Sequence, residues 1–452
     1  MTTRCEQADE LQKSLFKACC YRFNDYNGGK PTIRTTDVRF FIEPNNSRER
    51  KDVKSKRTEG KIWDAYLEDL FRLDCVKPLT RGSYGHPYLM KRRLGNGKKQ
   101  YYVLKFMFYG QHGNSGNNNN PLKRRRVSKK KKDEEEEHAA EEKDRPENAD
   151  VLINTLLSQE VRNGHLPFIN LPVASFVCSE ARVRDLMMRC DPQLRELRES
   201  VRRHRQQQQQ QQQQRPQNRE ESEDEMKLEE AEQEWLGKFW QHLGRNRMQQ
   251  TGPGVLVYVA EYASMGSLTD FIGEHPCDTE VWRSILAQCF YILNYVQHKW
   301  PDFRHNDLHA ANILLEQVPQ SFISLPWPNE NENENTTLVI DNHALEVRFW
   351  DFDYACIAGI YENRKVDSGS KYGISKQKNW YYDLHTLCNN ILNDFDLPSE
   401  VQAFLYDIVP LHLRYPTATR FGRLKMTDHL ESITAGKILT DHAFFAPFRP
   451  LL

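Results

Sequence analysis

The stretch Phe303–Leu315, FRHNDLHAANILL, sets a carboxylate, Asp307, five residues before a carboxamide, Asn312, with His305 two residues ahead of Asp307. Phosphoryl transfer asks for little covalent chemistry from a protein. It needs a carboxylate that accepts or orients the proton of the nucleophile, and hard oxygen ligands that hold a divalent cation against the phosphates. Asp307 suits the first task. Asn312 and Asp351 suit the second, and His305 is placed to brace the loop. An isolated His-Asn-Asp triplet is equally a capped loop. The order of elements favours chemistry: a long helix, this loop, the apolar pair Leu314 and Leu315, and then the apolar run VRFWDFDYA delivering Asp351.

Upstream, TRGSYGHPYLMKRRLGNGKKQYYVLKFMF carries groups suited to a nucleotide. Gly82, Ser83 and Gly85 form a short turn in which backbone N–H groups can approach phosphate closely, with Thr80 two residues before it. Lys105 alternates with apolar neighbours on a strand, where a lysine is costly to bury unless it meets phosphate or carboxylate. Its acidic partner is expected on the following helix, with Glu147 and Glu160 as equal candidates and Asp150 behind them. In GVLVYVAEYASMGSLTDFI the main chain from Glu261 to Ala263 is placed to pair with an adenine ring.

These residues require particular elements around them. Apolar spacing predicts helices over 61–73, 151–161 and 280–300, and a hairpin from 87–92 and 100–108 around LGNGKK. Strands are expected over 168–178 and 255–262, and mostly helix after Asp351. A strand-rich half followed by a helix-rich half reads as α+β in two lobes. The expected divisions are an N-terminal extension (1–56), a first lobe (57–260) and a second lobe (261–452). Polar inserts interrupt the lobes at about 111–148, 179–251 and 318–344. The second insert contains nine consecutive glutamines, 206–214, and the third contains SLPWPNENENENTT. Such compositions bury little apolar surface and read as loops, with EEAEQEWLGKFWQHL as a segment able to form helix.

Bulk properties exclude several classes. Lysine plus arginine and aspartate plus glutamate number 63 each, so net charge gives no case for nucleic-acid binding. Ten cysteines are scattered with no metal-ligand spacing, as expected for reduced thiols. No apolar run approaches the ~18 residues of a membrane helix, and MTTRCEQADELQKS lacks the apolar core of a signal peptide. A soluble intracellular protein without a membrane span is expected.

Taken together, HNDLHAANILL, WDFDYA, VLKF and EYASMGSLTDFI resemble the protein-kinase superfamily. The spacing from Asp307 to Asn312 equals that of the pattern H-R-D-L-x-x-x-N. NWYYDLHTLCNNIL resembles the central helix of the kinase helical lobe, and its Asp383 matches the buried aspartate that holds the catalytic loop's main chain. HNDLH combined with DFD is most similar to the virion-associated serine/threonine kinases of large DNA viruses, the poxvirus late-kinase type. The resemblance implies a two-lobed kinase-like fold, with a β-rich N-lobe and a helical C-lobe. It also implies ATP, Mg²⁺ or Mn²⁺, serine/threonine phosphorylation of protein substrates, and virus-encoded action in the host cytoplasm, nucleus or virion.

Three departures matter. Asn306 stands where many kinases carry the arginine that pairs with a phosphorylated activation loop, so activity independent of such phosphorylation is expected. Asp353 replaces a glycine and is expected either to hold the segment in one state or to add a carboxylate near the metal. His309 replaces a lysine that contacts the γ-phosphate. Aminoglycoside and choline kinases share the H-x-D-x-x-x-x-N pattern, so a small-molecule phosphotransferase is the alternative function. A pseudokinase scaffold is the third, and the presence of Lys105, Asp307, Asn312 and Asp351 argues against it. Lys123 to Lys132, KRRRVSKKKK, offers a surface for an import receptor, although DEEEE follows at once.

Overall fold

The computed structural model describes residues 4–15, 53–79, 86–94, 97–108, 148–166, 168–212, 223–242, 254–326, 337–363, 365–366, 373–414 and 433–448. Gly82, Ser83, Gly85, Glu147, Lys123 to Lys132 and the expected strand DVRFFIEP lie outside these residues. The architecture is α+β. The chain divides into two compact units, one formed by residues 7–124 and 173–261, the other by residues 1–6, 125–172 and 262–452. Among the described residues no helix is long and apolar enough to cross a membrane.

The first unit is built on a five-stranded sheet of order β1-β2-β3-β5-β4. Its strands are β1 (Cys75–Pro78), β2 (His86–Arg93), β3 (Lys99–Phe108), β4 (Pro172–Cys178) and β5 (Val255–Glu261). The expected hairpin forms, with β2 antiparallel to β3 and Pro87 opposite Lys105. β3 then pairs antiparallel with β5, setting Lys105 opposite Tyr258 and Tyr102 opposite Glu261. β4 begins only at Pro172, so the first residues of the strand expected over 168–178 fall outside it.

The second insert departs from expectation. Its described residues form helices Glu180–Cys190, Pro192–Gln212 and Glu223–His242. The overall composition is polar, but Val183, Leu186, Met187, Leu194 and Trp235 are sparse apolar positions that enter the core of this unit beside Phe106 and Val257. The Arg198 guanidinium reaches Glu232 at 2.7 Å and the Trp235 indole donates to Asp191 at 3.0 Å, joining the helices to one another. A few apolar side chains at helical spacing therefore suffice to order a segment whose average composition reads as a loop.

The second unit holds the long helix Thr279–Lys299, capped by Asp278, whose carboxylate accepts from the Val281 amide. Buried Gln288 accepts from Val347 N–H at 3.0 Å and donates to the Leu345 carbonyl at 3.2 Å. The helix thereby fixes β9 (Leu345–Phe349), which pairs antiparallel with β6 (Ile313–Gln317). The described residues of the third insert include β7 (Phe322–Pro326) and β8 (Thr337–Asp341), which pair antiparallel, with Leu325, Leu338 and Ile340 buried.

The helix Ala149–Arg162 belongs to this second unit. Near its C-terminal end, buried Glu160 accepts from Lys299 at 2.7 Å and from the Tyr295 hydroxyl at 2.5 Å, and contacts His165 at 3.1 Å. Burial alone would raise the Glu160 pKa, but these hydrogen bonds outweigh it and hold the carboxyl below its ordinary value of 4.5. The sign follows from linkage. The stabilisation is complete above 4.5 and is lost as pH falls through the lowered folded-state value. Glu160→Gln should cost about 1–2 kcal/mol at pH 7. In urea titrations from pH 7 to pH 3, the gap to the wild type should stay constant above pH 5 and close below the ordinary value; a gap that widens on acidification would contradict this pairing.

Candidate active site

The loop bearing Asp307 is held from beneath by one carboxylate. Asn379 caps the helix Trp380–Asp394 by accepting from the Tyr381 and Tyr382 amides, and this places Asp383 in the first turn, where the helix dipole favours an anion. Asp383 has no exposed surface. Its two oxygens accept from the main-chain amides of His305 and Asn306, each at 2.8 Å. Asn306 takes a left-handed conformation, φ 64°. Asparagine tolerates that conformation better than most residues, so the chain can turn here and present Asp307 beyond the turn.

The side chains of residues 304–306 reach the chain on both sides of the segment after Asp351. Asn306 donates to the Tyr354 carbonyl at 3.1 Å and accepts from the Ser375 amide at 3.3 Å. Arg304, buried and stacked 3.8 Å over the Tyr382 ring, donates to the carbonyls of Gln377 at 2.9 Å and Gly373 at 3.3 Å. Its main chain exchanges two hydrogen bonds with Cys356. His305 Nε2 lies 3.1 Å from the Trp350 carbonyl, which makes Nε2 the protonated nitrogen, and the ring packs 5.0 Å from Phe352. Its other nitrogen, Nδ1, is buried with no hydrogen-bond partner among the described residues.

Asn312 and Asp351 arrive on adjacent strand ends. Trp350 N–H donates to the Asn312 carbonyl at 3.1 Å, one step beyond the Ile313–Phe349 pair of β6 and β9. Asp351 lies two residues past β9, in a left-handed conformation with φ 61°. The Asn312 amide nitrogen donates to the Asp307 carbonyl at 2.8 Å and lies 3.3 Å from His309 Nε2. With the nitrogen so engaged, the carboxamide oxygen is the atom available as a cation ligand. His309 Nε2 also lies 3.9 Å from the Asp307 carboxylate, an ion pair when the imidazole is protonated. The Asp307 side chain is partly exposed.

The conformation of Asp351 depends on a residue ranked low from sequence. Asp150, fully buried in the first turn of the helix Ala149–Arg162, accepts from the Phe352 amide at 3.0 Å. Of the two acids preferred as partners of Lys105, Glu147 lies outside the described residues, and the lysine that engages Glu160 is Lys299. Glu160 sits ten residues beyond Asp150 and faces the helix Thr279–Lys299. Asp353 pairs with Lys365 at 2.6 Å, and its carbonyl accepts from Asn363 at 2.8 Å. The Asp353 carboxylate is thus engaged by a lysine of the same segment.

In the other unit, Lys105 is 4% exposed on β3, and Glu261, also buried, ends β5. Ala263, buried, lies in the unit that carries the loop. Among the described residues no cluster of three histidine, cysteine or acidic side chains forms a metal cage. One carboxylate and one carboxamide on neighbouring strand ends instead suit Mg²⁺, which is held by few protein oxygens and completes its shell with phosphate and water.

A model of the poxvirus serine/threonine protein kinases matches residues 279–421, the stretch that contains the loop, both strand ends and Asp383. A protein of Acanthamoeba polyphaga mimivirus, named as a serine/threonine-protein kinase, is 29% identical over 210 residues. Both similarities are to viral serine/threonine kinases. That similarity covers 44% of this chain and 42% of the mimivirus protein, so the chain matches less than half the length of its curated relative. The α+β architecture described above is accordingly a kinase-like one.

Asp383→Ala would leave two buried main-chain donors without acceptors, at about 1–3 kcal/mol each. A loss of about 2–5 kcal/mol in denaturant titration is expected, with loosening of the loop seen as faster amide exchange at His305 and Asn306. Unchanged exchange at these two amides would contradict the assignment.

Proposed function

We propose that the chain is an ATP-dependent serine/threonine protein kinase, virus-encoded, that transfers the γ-phosphate to hydroxyl groups of protein substrates. The observation that carries this reading is the joining of Asp307 and Asn312 on one loop held by Asp383, with Asp351 beside Asn312 across the β6–β9 pair. Asp307 would accept or orient the proton of the acceptor hydroxyl. Asn312 and Asp351 would hold Mg²⁺ or Mn²⁺, which when bound neutralises charge on the phosphates. Lys105 and the turn at Gly82, Ser83 and Gly85 would contact ATP, with the main chain from Glu261 to Ala263 at the adenine. His305 and Asp383 act by positioning the loop.

His309 stands on the loop beside Asp307 and Asn312, where an imidazole would face the γ-phosphate in place of a lysine. The reading also carries the wider expectations: action in the host cytoplasm or nucleus or in the virion, no nucleic-acid ligand, and recognition of Lys123 to Lys132 by an import receptor.

Incubation of the full chain with labelled ATP and Mg²⁺, together with casein, choline or an aminoglycoside, tests this function. Label should appear on serine and threonine of the protein. Asp307→Asn should lower the rate by about 10²–10⁴, and Asp351→Asn should lower it and raise the Mg²⁺ concentration needed. Label found only in a small molecule would establish the alternative phosphotransferase instead. Nucleotide binding with no turnover by the unsubstituted chain would establish a scaffold.

A further inference from the structure

Two cysteines far apart in sequence meet in the sheet-bearing unit. Cys75 opens the edge strand β1, directly after the helix Val53–Asp74, and Cys190 is the last residue of the helix Glu180–Cys190. The two helices run side by side with matched spacing. At one end Asp64 accepts from the Ser179 hydroxyl at 2.6 Å and from its amide at 2.7 Å. Midway, Glu68 pairs with Arg182 and, at 3.4 Å, with Arg189. Cys75 lies eleven residues after Asp64 and Cys190 eleven after Ser179, an equal advance of about 16 Å along each chain. The thiols therefore arrive together, and they share a hydrogen bond.

Both thiols pack at the margin of the core, partly accessible, whereas Cys178, Cys289, Cys356 and Cys388 are buried. The charged surroundings favour a thiolate on Cys190. The hydrogen bond from Cys75 acts with Arg195 and Arg189 against the effect of burial and brings the Cys190 thiol to about 7, while Cys75, the donor, moves up. The nearby Asp191 carboxylate is occupied by the Gln193 and Leu194 amides and the Trp235 indole.

We propose that Cys75 and Cys190 form a modification site, a dithiol that hydrogen peroxide closes to a disulfide, fastening the helical segment from residue 180 to the edge strand β1. The Cys190 thiolate attacks one peroxide oxygen, the O–O bond breaks, and the departing hydroxide takes up a proton as water, leaving a sulfenic acid on Cys190. The Cys75 sulfur then attacks the Cys190 sulfur. The S–O bond breaks, and hydroxide leaves as water with the proton from Cys75. Two thiols are oxidised by two electrons, and one peroxide is reduced to two waters. The link would tie the Pro192–Gln212 and Glu223–His242 helices, which follow Cys190, to the sheet independently of any phosphotransfer chemistry.

The test uses the full reduced chain. At pH 7, iodoacetamide should alkylate Cys190 about tenfold faster than Cys277, which is also partly exposed but carries a raised pKa. After one equivalent of hydrogen peroxide, alkylation and digestion without reductant, mass spectrometry should find the Cys75 and Cys190 peptides joined, two hydrogens lighter than the separate pair, and released by dithiothreitol. In Cys75→Ser, dimedone should trap a sulfenic acid at Cys190. Recovery of the two cysteines as separate alkylated peptides after oxidation would overturn the proposal, as would a Cys190 bridge to a different cysteine. Equal alkylation rates for Cys190 and Cys277 would also overturn it.

Discussion

The site rests on one buried carboxylate shared between two consecutive main-chain amides. Asp383 can remain without exposed surface because its oxygens are met by the His305 and Asn306 N–H groups and because it sits in the first turn of a helix. That contact fixes the left-handed turn at Asn306, and the turn decides where Asp307 is presented. From there the constraint passes along the chain: Asn312 holds the Asp307 carbonyl, Trp350 holds the Asn312 carbonyl, and the β6–β9 pairing brings Asp351 alongside. After the Asp383 carboxylate, each of these links is a hydrogen bond between uncharged groups.

A second support acts on the far side of Asp351. The helix Ala149–Arg162 is fastened at one end by Glu160 to Lys299 and Tyr295, and at the other Asp150 holds the Phe352 amide. Beyond it, Lys365 neutralises Asp353, and Arg304 and Asn306 bind carbonyls and an amide on both flanks of the segment. Asn306 stands where the resemblance to kinases leads one to expect an arginine that pairs with phosphate, and its carboxamide bonds through both its nitrogen and its oxygen.

Much of this was legible in the sequence. Apolar runs located the hairpin around LGNGKK, the long helix before the loop and the strand leading to Asp351, because these segments are buried over most of their length. Asp307, Asn312 and Asp351 stood out by their order and spacing, and the structure brings Asn312 to the Asp307 carbonyl and Asp351 to the neighbouring strand end. The acid at the head of the Ala149–Arg162 helix was not. Asp150 and Glu160 are both plausible from spacing, and only the packing of the helix against residues 295–299 and 352 separates their roles. The helices of the second insert were hidden for a different reason. Their apolar residues are few, and composition averages them away, yet Val183, Leu186 and Trp235 enter a core already formed by the sheet. The Cys75–Cys190 meeting is a long-range contact that no local pattern announces.

The contacts described around the loop and after Asp351 lead to the expectation of a site that works without a phosphate on the chain. The most direct measurement is the initial rate of γ-phosphate transfer to protein by chain produced free of phosphate and treated with phosphatase, compared with chain preincubated with ATP and Mg²⁺. The account predicts equal rates with no lag. A rate that is mostly lost on phosphatase treatment and recovers only after preincubation would contradict it.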